Sequence, residues 1–279
     1  MRATEAIAIA KLQFDSSKEK LIISEMYSLL CHVTGADKAV LSLNSVEISK
    51  KNFYMFLRLV EKRLKGMPVS HIIGRRSFWK SDFIIDKNVL DPRPDSESLI
   101  EVALDLINKP SRILDLGTGS GCLACSLLQE FPGAKVFAID KCPKALKIAK
   151  RNAENLNLSI DFINSDWTNS IKGKFDLIVC NPPYISTDEY LSLGSNILNY
   201  EPPSALMPCT VKTCSGYESY YCLAICLEEF LAKDGLALFE VGQNMAPKVE
   251  DIFRKNSNFF IKSYKDINGI ERVVSVVNM

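Results

Sequence analysis

Apolar residues recur at helical spacing through roughly the first 65 residues of the chain. One apolar stripe, over residues 21–33, follows a Ser16-x-x-Glu19 sequence of the capping-box type and ends at Gly35. A second stripe covers residues 53–64 and ends at Gly66. Because residues three and four apart share one face of a helix, both stripes predict amphipathic helices, and neither contains catalytic side chains.

The pattern changes between residues 71 and 90. Short apolar and aromatic runs, such as Ile72-Ile73 and residues 82–85, alternate there with charged breaks. This texture predicts one or two β-hairpins. We therefore expect an N-terminal helical domain with a hairpin linker over residues 1–85 and a second domain over residues 86–279.

Apolar runs of strand length alternate with helical patterns after residue 111, in units of about 25 residues. The predicted strands cover residues 112–116, 135–139, 160–163, 175–180, 236–241 and 272–277. The predicted helices cover residues 123–129, 143–155, 218–231 and 246–255. This alternation is typical of an α/β fold in which helices cover both faces of a parallel sheet.

The composition is that of a globular protein, with 279 residues of which 47% are hydrophobic and 24% charged. No apolar stretch approaches the roughly 18 residues of a membrane span, and the run over residues 6–10 is too short for a signal peptide. We therefore expect a soluble protein of the cytoplasm. The formal net charge of +1 does not favour a nucleic-acid binder. Residues 50–80 nevertheless hold nine basic residues and one acidic residue, as a solvated face or a docking patch.

The chain has nine cysteines. Their odd number and their positions favour reduced, buried thiols over a disulfide framework. Cys122 and Cys125 form a Cys-x-x-Cys pair, which is found in redox and zinc sites. No second pair follows at zinc-finger spacing, and His32 and His71 are the only histidines. We expect no metal site. The cysteines expected in apolar segments are Cys31, Cys122, Cys125, Cys180, Cys222 and Cys226.

Glycines follow the first strand of the predicted sheet, in the order Asp115-Leu-Gly117-Thr118-Gly119-Ser120-Gly121. They let the backbone turn tightly and approach a ligand at a helix N-terminus. The Gly-x-Gly-x-Gly spacing differs from the dinucleotide fingerprint, and the loop lacks the lysine of a P-loop. A helix N-terminus also attracts a carboxylate, such as the amino-acid end of S-adenosylmethionine.

The ends of the next two strands carry groups that suit an adenosine. Asp140 follows the second strand, where a carboxylate accepts hydrogen bonds from ribose hydroxyls. Asp166 and Trp167 follow the third strand, where they suit an exocyclic adenine amine and the adenine face. Each residue alone has a structural explanation, but three such groups at successive strand ends favour a cofactor site.

The fourth strand leads directly into Asn181-Pro182-Pro183-Tyr184, the most specific motif in the chain. A planar amide or aromatic amine is a poor nucleophile. Acceptors aimed at its two N–H groups, the Asn181 side-chain oxygen and the Pro182 carbonyl, favour the pyramidal nitrogen that attacks a methyl group. Pro183 holds Pro182 extended, and Tyr184 provides an aromatic wall. An ordinary Pro-Pro turn is the structural alternative.

These motifs resemble the protein-(glutamine-N5) methyltransferases of peptide chain release factors. The resemblance covers nearly the whole chain from about Pro68. It rests on Pro68-Val-Ser-His71-Ile-Ile-Gly74, Pro92-Arg93-Pro94-Asp95-Ser-Glu97, the glycine loop, Asp140, Arg151-Asn152-Ala153, Ser165-Asp166-Trp167, the Asn181 motif, Tyr200-Glu201-Pro202, Glu240-Val241-Gly242 and Glu271-Arg272-Val273-Val274. Two departures are Asp91, where the family usually has an apolar residue, and the divergent loop over residues 209–215.

The resemblance implies a Rossmann-like methyltransferase domain joined by a β-hairpin to a small helical domain that docks the substrate. It implies S-adenosylmethionine as cofactor and, as substrate, the glutamine of the Gly-Gly-Gln motif in class I release factors. Methylation of this glutamine would tune translation termination. The implied cofactor residues are Asp115, Gly117, Thr118, Gly119, Ser120, Gly121, Asp140, Asp166, Trp167 and Asn181. The implied catalytic residues are Asn181, Pro182, Pro183 and Tyr184.

Three other functions fit parts of the sequence. An adenine-N6 methyltransferase acting on DNA or RNA meets the same electronic problem with the same motif, but it must also hold a phosphate backbone. A nucleotide-binding module leaves the Asn181 motif without a purpose, and a dehydrogenase disagrees with the glycine spacing. We therefore expect a methyltransferase that acts as a monomer, without stable nucleic-acid binding or membrane association.

Overall fold

The computed structural model describes residues 1–14, 22–209, 213–256 and 259–278, so the capping box predicted at Ser16 and Glu19 lies outside the described residues. The helices are α1 (Ala3–Gln13), α2 (Ile23–Thr34), α3 (Lys38–Ser42), α4 (Lys50–Leu64), α5 (Val69–Ile73), α6 (Glu97–Leu106), α7 (Cys122–Glu130), α8 (Pro143–Asn155), α9 (Thr187–Ser192), α10 (Ser195–Leu198), α11 (Pro203–Leu206), α12 (Glu218–Phe230) and α13 (Ala246–Asn256). Within this described part, no helix combines the length and hydropathy needed to cross a membrane.

The strands are β1 (Arg75–Phe78), β2 (Ser81–Ile84), β3 (Arg112–Leu116), β4 (Lys135–Asp140), β5 (Asp161–Asn164), β6 (Phe175–Cys180), β7 (Leu231–Glu240), β8 (Phe260–Lys265) and β9 (Glu271–Val277). The chain forms two compact units. One comprises Met1–Arg75 and Gly194–Tyr200, and the other comprises Arg76–Leu193 and Glu201–Met279.

The first unit is helical, as the apolar stripes predict. Met26 and Leu30 on α2 are fully buried and belong to one core cluster with Phe56 and Val60 on α4. The Ser49 hydroxyl accepts a hydrogen bond from the Asn52 amide at 3.2 Å and caps the start of α4. Burial of one face of each helix therefore holds this unit together.

The segment after the helical unit contains one hairpin, β1–β2, and the short helix α5. The expectation that Ile72-Ile73 belongs to a hairpin is wrong, because both residues lie in α5. Phe78 and Phe83, on the two hairpin strands, are buried in edge-to-face contact with ring centroids 6.2 Å apart. They share a core cluster with Leu99 of α6, and so the hairpin from Arg76 onward belongs to the second unit.

The second unit is built on a seven-stranded sheet in the order β5-β4-β3-β6-β7-β9-β8. The first five strands are parallel, whereas β9 runs antiparallel to both β7 and β8. The sequence did not predict β8, and the last strand is not parallel to its neighbours. A turn in which the Gly269 amide donates to the Asp266 carbonyl at 2.9 Å joins β8 to β9. Such a tight connection permits only antiparallel pairing.

The order of the strands reverses at β3, which lies between β4 and β6. Leu116 at the end of β3 pairs in register with Ile139 of β4 on one side and with Cys180 of β6 on the other. The chain therefore leaves these three strands side by side. In open α/β sheets this reversal point is where ligands bind.

Candidate active site

A cleft opens where β3, β4, β5 and β6 end. Of the site residues predicted from the sequence, it is lined by Gly117, Gly119, Asp140, Asp166, Trp167, Asn181 and Pro183. It is also lined by Asn88, Val89, Leu90, Ile139, Lys141, Cys142, Ala145, Ser165, Pro202, Ser204 and Ala205. The predicted residues Asp115, Thr118, Ser120, Gly121, Pro182 and Tyr184 are not part of this lining.

Asp115 lies beneath the glycine loop and is fully buried. Its Oδ2 atom accepts hydrogen bonds from the Thr118 hydroxyl at 2.6 Å and from the Ala124 amide at 3.2 Å. Burial raises the pKa of this carboxyl to about 7, although both donors oppose the rise. Its Oδ1 atom is buried and has no hydrogen-bond partner among the described residues. Asp115 therefore holds the loop through one carboxylate oxygen, while the other oxygen has no partner in the described part of the chain.

Ser120 and Gly121 pack against α8. The Ser120 carbonyl accepts a hydrogen bond from the Asn152 side-chain amide at 2.8 Å. Gly121 has a φ of +81°, and a Cβ atom there would lie 3.0 Å from the Cβ atom of Ala149. Only glycine combines that left-handed backbone with so close an approach to the neighbouring helix.

Asp140 is fixed at the end of β4 by two backbone amides. Gly119 donates to its Oδ2 atom at 2.9 Å, and Cys142 donates to its Oδ1 atom at 2.7 Å. Burial raises the pKa of this carboxyl, and the two amides act against that rise. Since each carboxylate oxygen has two lone pairs, both oxygens retain an acceptor position toward the cleft, which suits a pair of ribose hydroxyls.

Trp167 and Asp166 lie at the end of β5. Trp167 has a left-handed backbone with φ of +48°, and its partly buried ring packs against the main core cluster. Asp166 is exposed and lines the same cleft. The apolar side chains of Val89, Ile139 and Ala145 complete the lining. A cleft of aromatic and aliphatic groups with a few carboxylates suits a nucleoside, and so these residues fit an S-adenosylmethionine.

Asn181 follows β6, and its side chain is held from one end. Its Nδ2 atom donates to the Ser96 hydroxyl oxygen at 2.9 Å. Pro182 is buried, and the Pro183 carbonyl accepts a hydrogen bond from the Ser219 hydroxyl at 3.2 Å. The bond to Ser96 turns the Oδ1 atom of Asn181 away from Ser96, because the two ends of a carboxamide point in opposite directions.

Tyr184 is held by a buried carboxylate and by contact with the loop that contains Gly216. Its hydroxyl donates to the Oε1 atom of Glu240 at 3.4 Å. Burial, and then the charge of Glu240, raise the pKa of this phenol well above its usual value, so the ring is neutral and unsuited to act as a base. A Cβ atom on Gly216 would lie 2.3 Å from the Tyr184 carbonyl oxygen. Glycine at that position therefore permits the close contact.

Two family models match different parts of the chain. A model of the methyltransferase small domain matches residues 94–201, and a model of the PrmC N-terminal domain matches residues 5–74. The release factor glutamine methyltransferase of Thermodesulfovibrio yellowstonii is 36% identical over 273 residues, which cover 96% of this chain and 96% of that relative. The chain belongs to the release factor glutamine methyltransferase family.

Two further similarities concern a longer relative and the fold of the second unit. The bifunctional methyltransferase of Rickettsia prowazekii is 35% identical over 89% of this chain, and the aligned part spans about half, 52%, of that longer protein. A methyltransferase from Pyrococcus furiosus aligns with a TM-score of 0.53 over 71% of this chain and 89% of its own. At 17% sequence identity, the latter similarity concerns the Rossmann-like fold alone.

Two residues near Asn181 and Tyr184, Ser96 and Glu240, were not predicted as site residues from the sequence. Ser96 lies in the Pro92–Glu97 motif and Glu240 begins the Glu240–Gly242 motif, so the family resemblance contains both without explaining them. The cleft residues 88–90 had no comparable signal, because they follow no strand of the sheet. Their positions depend on contacts between segments that are far apart in the chain.

Several residues of the basic stretch over residues 50–80 have acidic partners. Arg63 lies 3.1 Å from Glu25, Lys65 lies 2.7 Å from Glu61, and Lys80 lies 2.5 Å from Glu130. The Lys65–Glu61 pair is exposed, and such pairs contribute only about 0–1 kcal/mol each to stability. These acidic partners nevertheless compensate part of the positive charge that binding a phosphate backbone would need. This compensation favours a solvated surface for the basic stretch.

The cysteines are free, as expected, but they are not uniformly buried. Cys222 is exposed on α12, so the expectation of burial is wrong for it, because the residue lies on the outer face of that helix. Cys122 lies on α7, and burial raises its pKa to about 12. The ligand atoms of Cys209, Cys214 and Glu218 lie within 4.8 Å of one another, and Glu218 there also accepts hydrogen bonds from the loop that starts α12.

Proposed function

We propose that this protein transfers a methyl group from S-adenosylmethionine to the side-chain amide nitrogen, N5, of the glutamine in the Gly-Gly-Gln motif of class I peptide chain release factors. The observation that carries the proposal is the position of Asn181. It lines one cleft with Asp140 and Trp167, in a chain whose full-length relatives are release factor glutamine methyltransferases. Methylation at this glutamine tunes translation termination.

The lining of the cleft supports the proposed cofactor residues Asp140, Asp166 and Trp167. When bound, S-adenosylmethionine supplies an electrophilic methyl group on a positively charged sulfur. Asp140 accepts hydrogen bonds from the ribose hydroxyls, and Asp166 accepts one from the exocyclic adenine amine. Trp167 covers the adenine face. The glycine loop, Gly117 to Gly121, approaches the amino-acid end. There the Oδ1 atom of Asp115, which has no partner among the residues the structure describes, is the acceptor for the ammonium group.

The glutamine is activated by acceptors and not by a strong base. The Oδ1 atom of Asn181 and the carbonyl of Pro182 accept the two N–H groups of the substrate amide. They favour the pyramidal nitrogen over the planar one as the nitrogen approaches the methyl group. Pro183 keeps Pro182 extended, and the neutral ring of Tyr184 forms an aromatic wall. The nitrogen then carries a positive charge and releases its extra proton to water.

The protein partner is a class I release factor, docked by the N-terminal helical unit. We infer that the enzyme acts as a monomer in the cytoplasm and does not bind nucleic acid stably. Methylation of adenine N6 in DNA or RNA is the alternative. It is disfavoured by the net charge of +1 and by the acidic partners of Arg63 and Lys65 in the basic stretch.

The test is incubation of the protein with S-adenosylmethionine and an unmodified class I release factor, followed by mass spectrometry of the Gly-Gly-Gln peptide. We expect one methyl group on the glutamine. Asn181→Ala should lower turnover by about 10²–10³-fold, the usual cost of one lost transition-state hydrogen bond, with a smaller effect on cofactor affinity. Asn268→Ala, at an exposed turn, is the control. Methylated DNA or ribosomal RNA, with an unmodified peptide, would establish the alternative.

A further inference from the structure

Two motifs converge on Asn181 although they lie far from it in sequence. Ser96 ends the 3-10 turn Pro94–Ser96 and lies 85 residues from Asn181 in the chain. Glu240 ends β7, the neighbour of β6 in the sheet. Since Phe239 pairs in register with Cys180, Glu240 leaves its strand beside Asn181. Ser96 is 4% exposed and Glu240 is 1% exposed, so both polar groups are removed from water.

The hydrogen bonds among these residues have a direction. The Oγ atom of Ser96 accepts from the Nδ2 atom of Asn181 at 2.9 Å, and the hydroxyl has one proton of its own to donate. The acceptor next to it is the Glu240 carboxylate. Burial raises the pKa of Glu240 to about 7, and the Ser96 hydroxyl is the largest influence that lowers it, as a donor does. The Oε2 atom of Glu240 is buried and has no hydrogen-bond partner in the described residues, so this oxygen is the acceptor that remains for the Ser96 proton.

Polar groups around Glu240 oppose part of the rise in its pKa that burial causes. Arg272 lowers its pKa, while the nearby carboxylate of Asp95 raises it. The Tyr184 hydroxyl donates to Oε1 at 3.4 Å, and the Tyr220 hydroxyl donates to the main-chain carbonyl of Glu240 at 2.7 Å. Tyr184 is therefore a donor to the carboxylate, whereas Tyr220 holds the main chain of the same residue. A hydroxyl between a carboxylate and a carboxamide then donates to the first and accepts from the second.

We propose that Ser96 and Glu240 are positioning residues that decide which end of the Asn181 carboxamide faces the target nitrogen. The Ser96 hydroxyl donates a hydrogen bond to Glu240, and the Ser96 oxygen accepts one from Nδ2 of Asn181. The Oδ1 atom of Asn181 is then left as the acceptor on the side of the cleft. If the carboxamide turned over, its N–H groups would meet the N–H groups of the substrate and the acceptor would be lost. The same carboxylate holds Tyr184, so one buried charge orients two parts of the motif. This inference rests on the proposed function.

The experiment compares Ser96→Ala, Ser96→Thr and Glu240→Gln in methyl transfer to the release factor. Ser96→Ala should lower kcat about tenfold, the equivalent of one hydrogen bond of about 1.4 kcal/mol, with the Kd for S-adenosylmethionine unchanged within about twofold. Ser96→Thr keeps the hydroxyl and should recover most of the rate. Glu240→Gln should also be slow, because a carboxamide can donate to Ser96 and free the Ser96 proton for Oδ1 of Asn181.

Ser275→Ala is the matched control. Ser275 is a serine of similar burial, 1% exposed, whose hydroxyl donates to the Lys262 carbonyl at 3.1 Å on the far strands of the sheet. Its loss should leave kcat unchanged. A slow Ser275→Ala enzyme, or a Ser96→Ala enzyme with the kcat of the wild type, would overturn the positioning role.

A second measurement does not depend on turnover. Side-chain amide NMR of the wild-type protein should show an Asn181 NH₂ group with one hydrogen-bonded, slowly exchanging proton, and Ser96→Ala should remove that protection. Unaltered protection in Ser96→Ala would refute the inference even if transfer slowed. A wild type that methylates no release factor would instead count against the proposed function, while the NMR result would still test the orientation of Asn181.

Discussion

Gly121 provides a stringent test of how the glycine loop is built. Gly121→Ala places an L residue at φ of +81°, which costs about 1–2 kcal/mol. It also places a Cβ atom 3.0 Å from the Ala149 Cβ and 3.1 Å from the Ala149 Cα, and overpacking of that kind costs about 1–3 kcal/mol. The lower entropy of the unfolded chain offsets about 0.4–1 kcal/mol. We expect the free energy of unfolding to fall by about 2–4 kcal/mol.

Two other glycines of the same unit separate these contributions. Gly269 has φ of +78°, and no described atom lies within 4 Å of the point that a Cβ atom would occupy, so Gly269→Ala carries the backbone cost alone and should destabilise by about 1 kcal/mol. Gly133 has neither a left-handed φ nor a close neighbour among the described residues, so Gly133→Ala should be neutral or slightly stabilising. Adding Ala149→Gly to Gly121→Ala should restore part of the lost stability by removing the contact.

The assay is urea unfolding followed by tryptophan fluorescence. Trp79 and Trp167 are the two tryptophans of the chain, and both lie in the second unit with Gly121. The signal therefore reports the unit that contains the change. A Gly121→Ala protein no less stable than Gly269→Ala would refute the reasoning, because the contact with α8 would then contribute nothing.

Two further predictions concern carboxylates. Asp140→Ala should weaken S-adenosylmethionine binding by about 10–100-fold, because it removes two ribose hydrogen bonds of about 1 kcal/mol each and the anchor of the Gly119 amide. Calorimetry measures this affinity, and Asp161→Ala, at an exposed aspartate of β5, is the control. Equal affinities of the two variants would contradict the assignment. Glu240→Gln should stabilise the protein at pH 8 by up to about 3 kcal/mol but have little effect at pH 4. The pKa of Glu240 is about 7 in the folded protein against an ordinary 4.5, so its contribution to stability is fully present below pH 4.5 and is lost as the pH rises through 7. Parallel profiles of unfolding free energy against pH for the two proteins would disprove this prediction.

Local patterns were sufficient for the central elements of the sheet domain. Strands β3 and β6 and helix α8 begin and end at the predicted residues, because a fully buried strand and an amphipathic helix carry their signal within a few adjacent residues. Strand β8 and the antiparallel direction of β9 were missed. Both depend on pairing at the edge of the sheet, and the short apolar runs of such strands do not reveal their partners.

The candidate site divides in the same way. Gly117, Asp140 and Asn181 were predicted from their positions after strands, and strand register places them side by side. Asp115 was predicted as a cofactor residue, but it lies beneath the loop and outside the lining of the cleft. Its role in binding stays a prediction, as do those of the other candidate residues.

By itself, the sequence determined the alternation of strands and helices, the chemical groups at the strand ends and the family to which the chain belongs. Those features depend on residue type and short-range periodicity, which a linear pattern contains. Tertiary structure alone decided that Ser96 and Glu240 meet at Asn181 and that residues 88–90 line the cleft. These outcomes depend on burial and on hydrogen bonds between distant segments, whose free energies arise only when the folded chain brings the groups together.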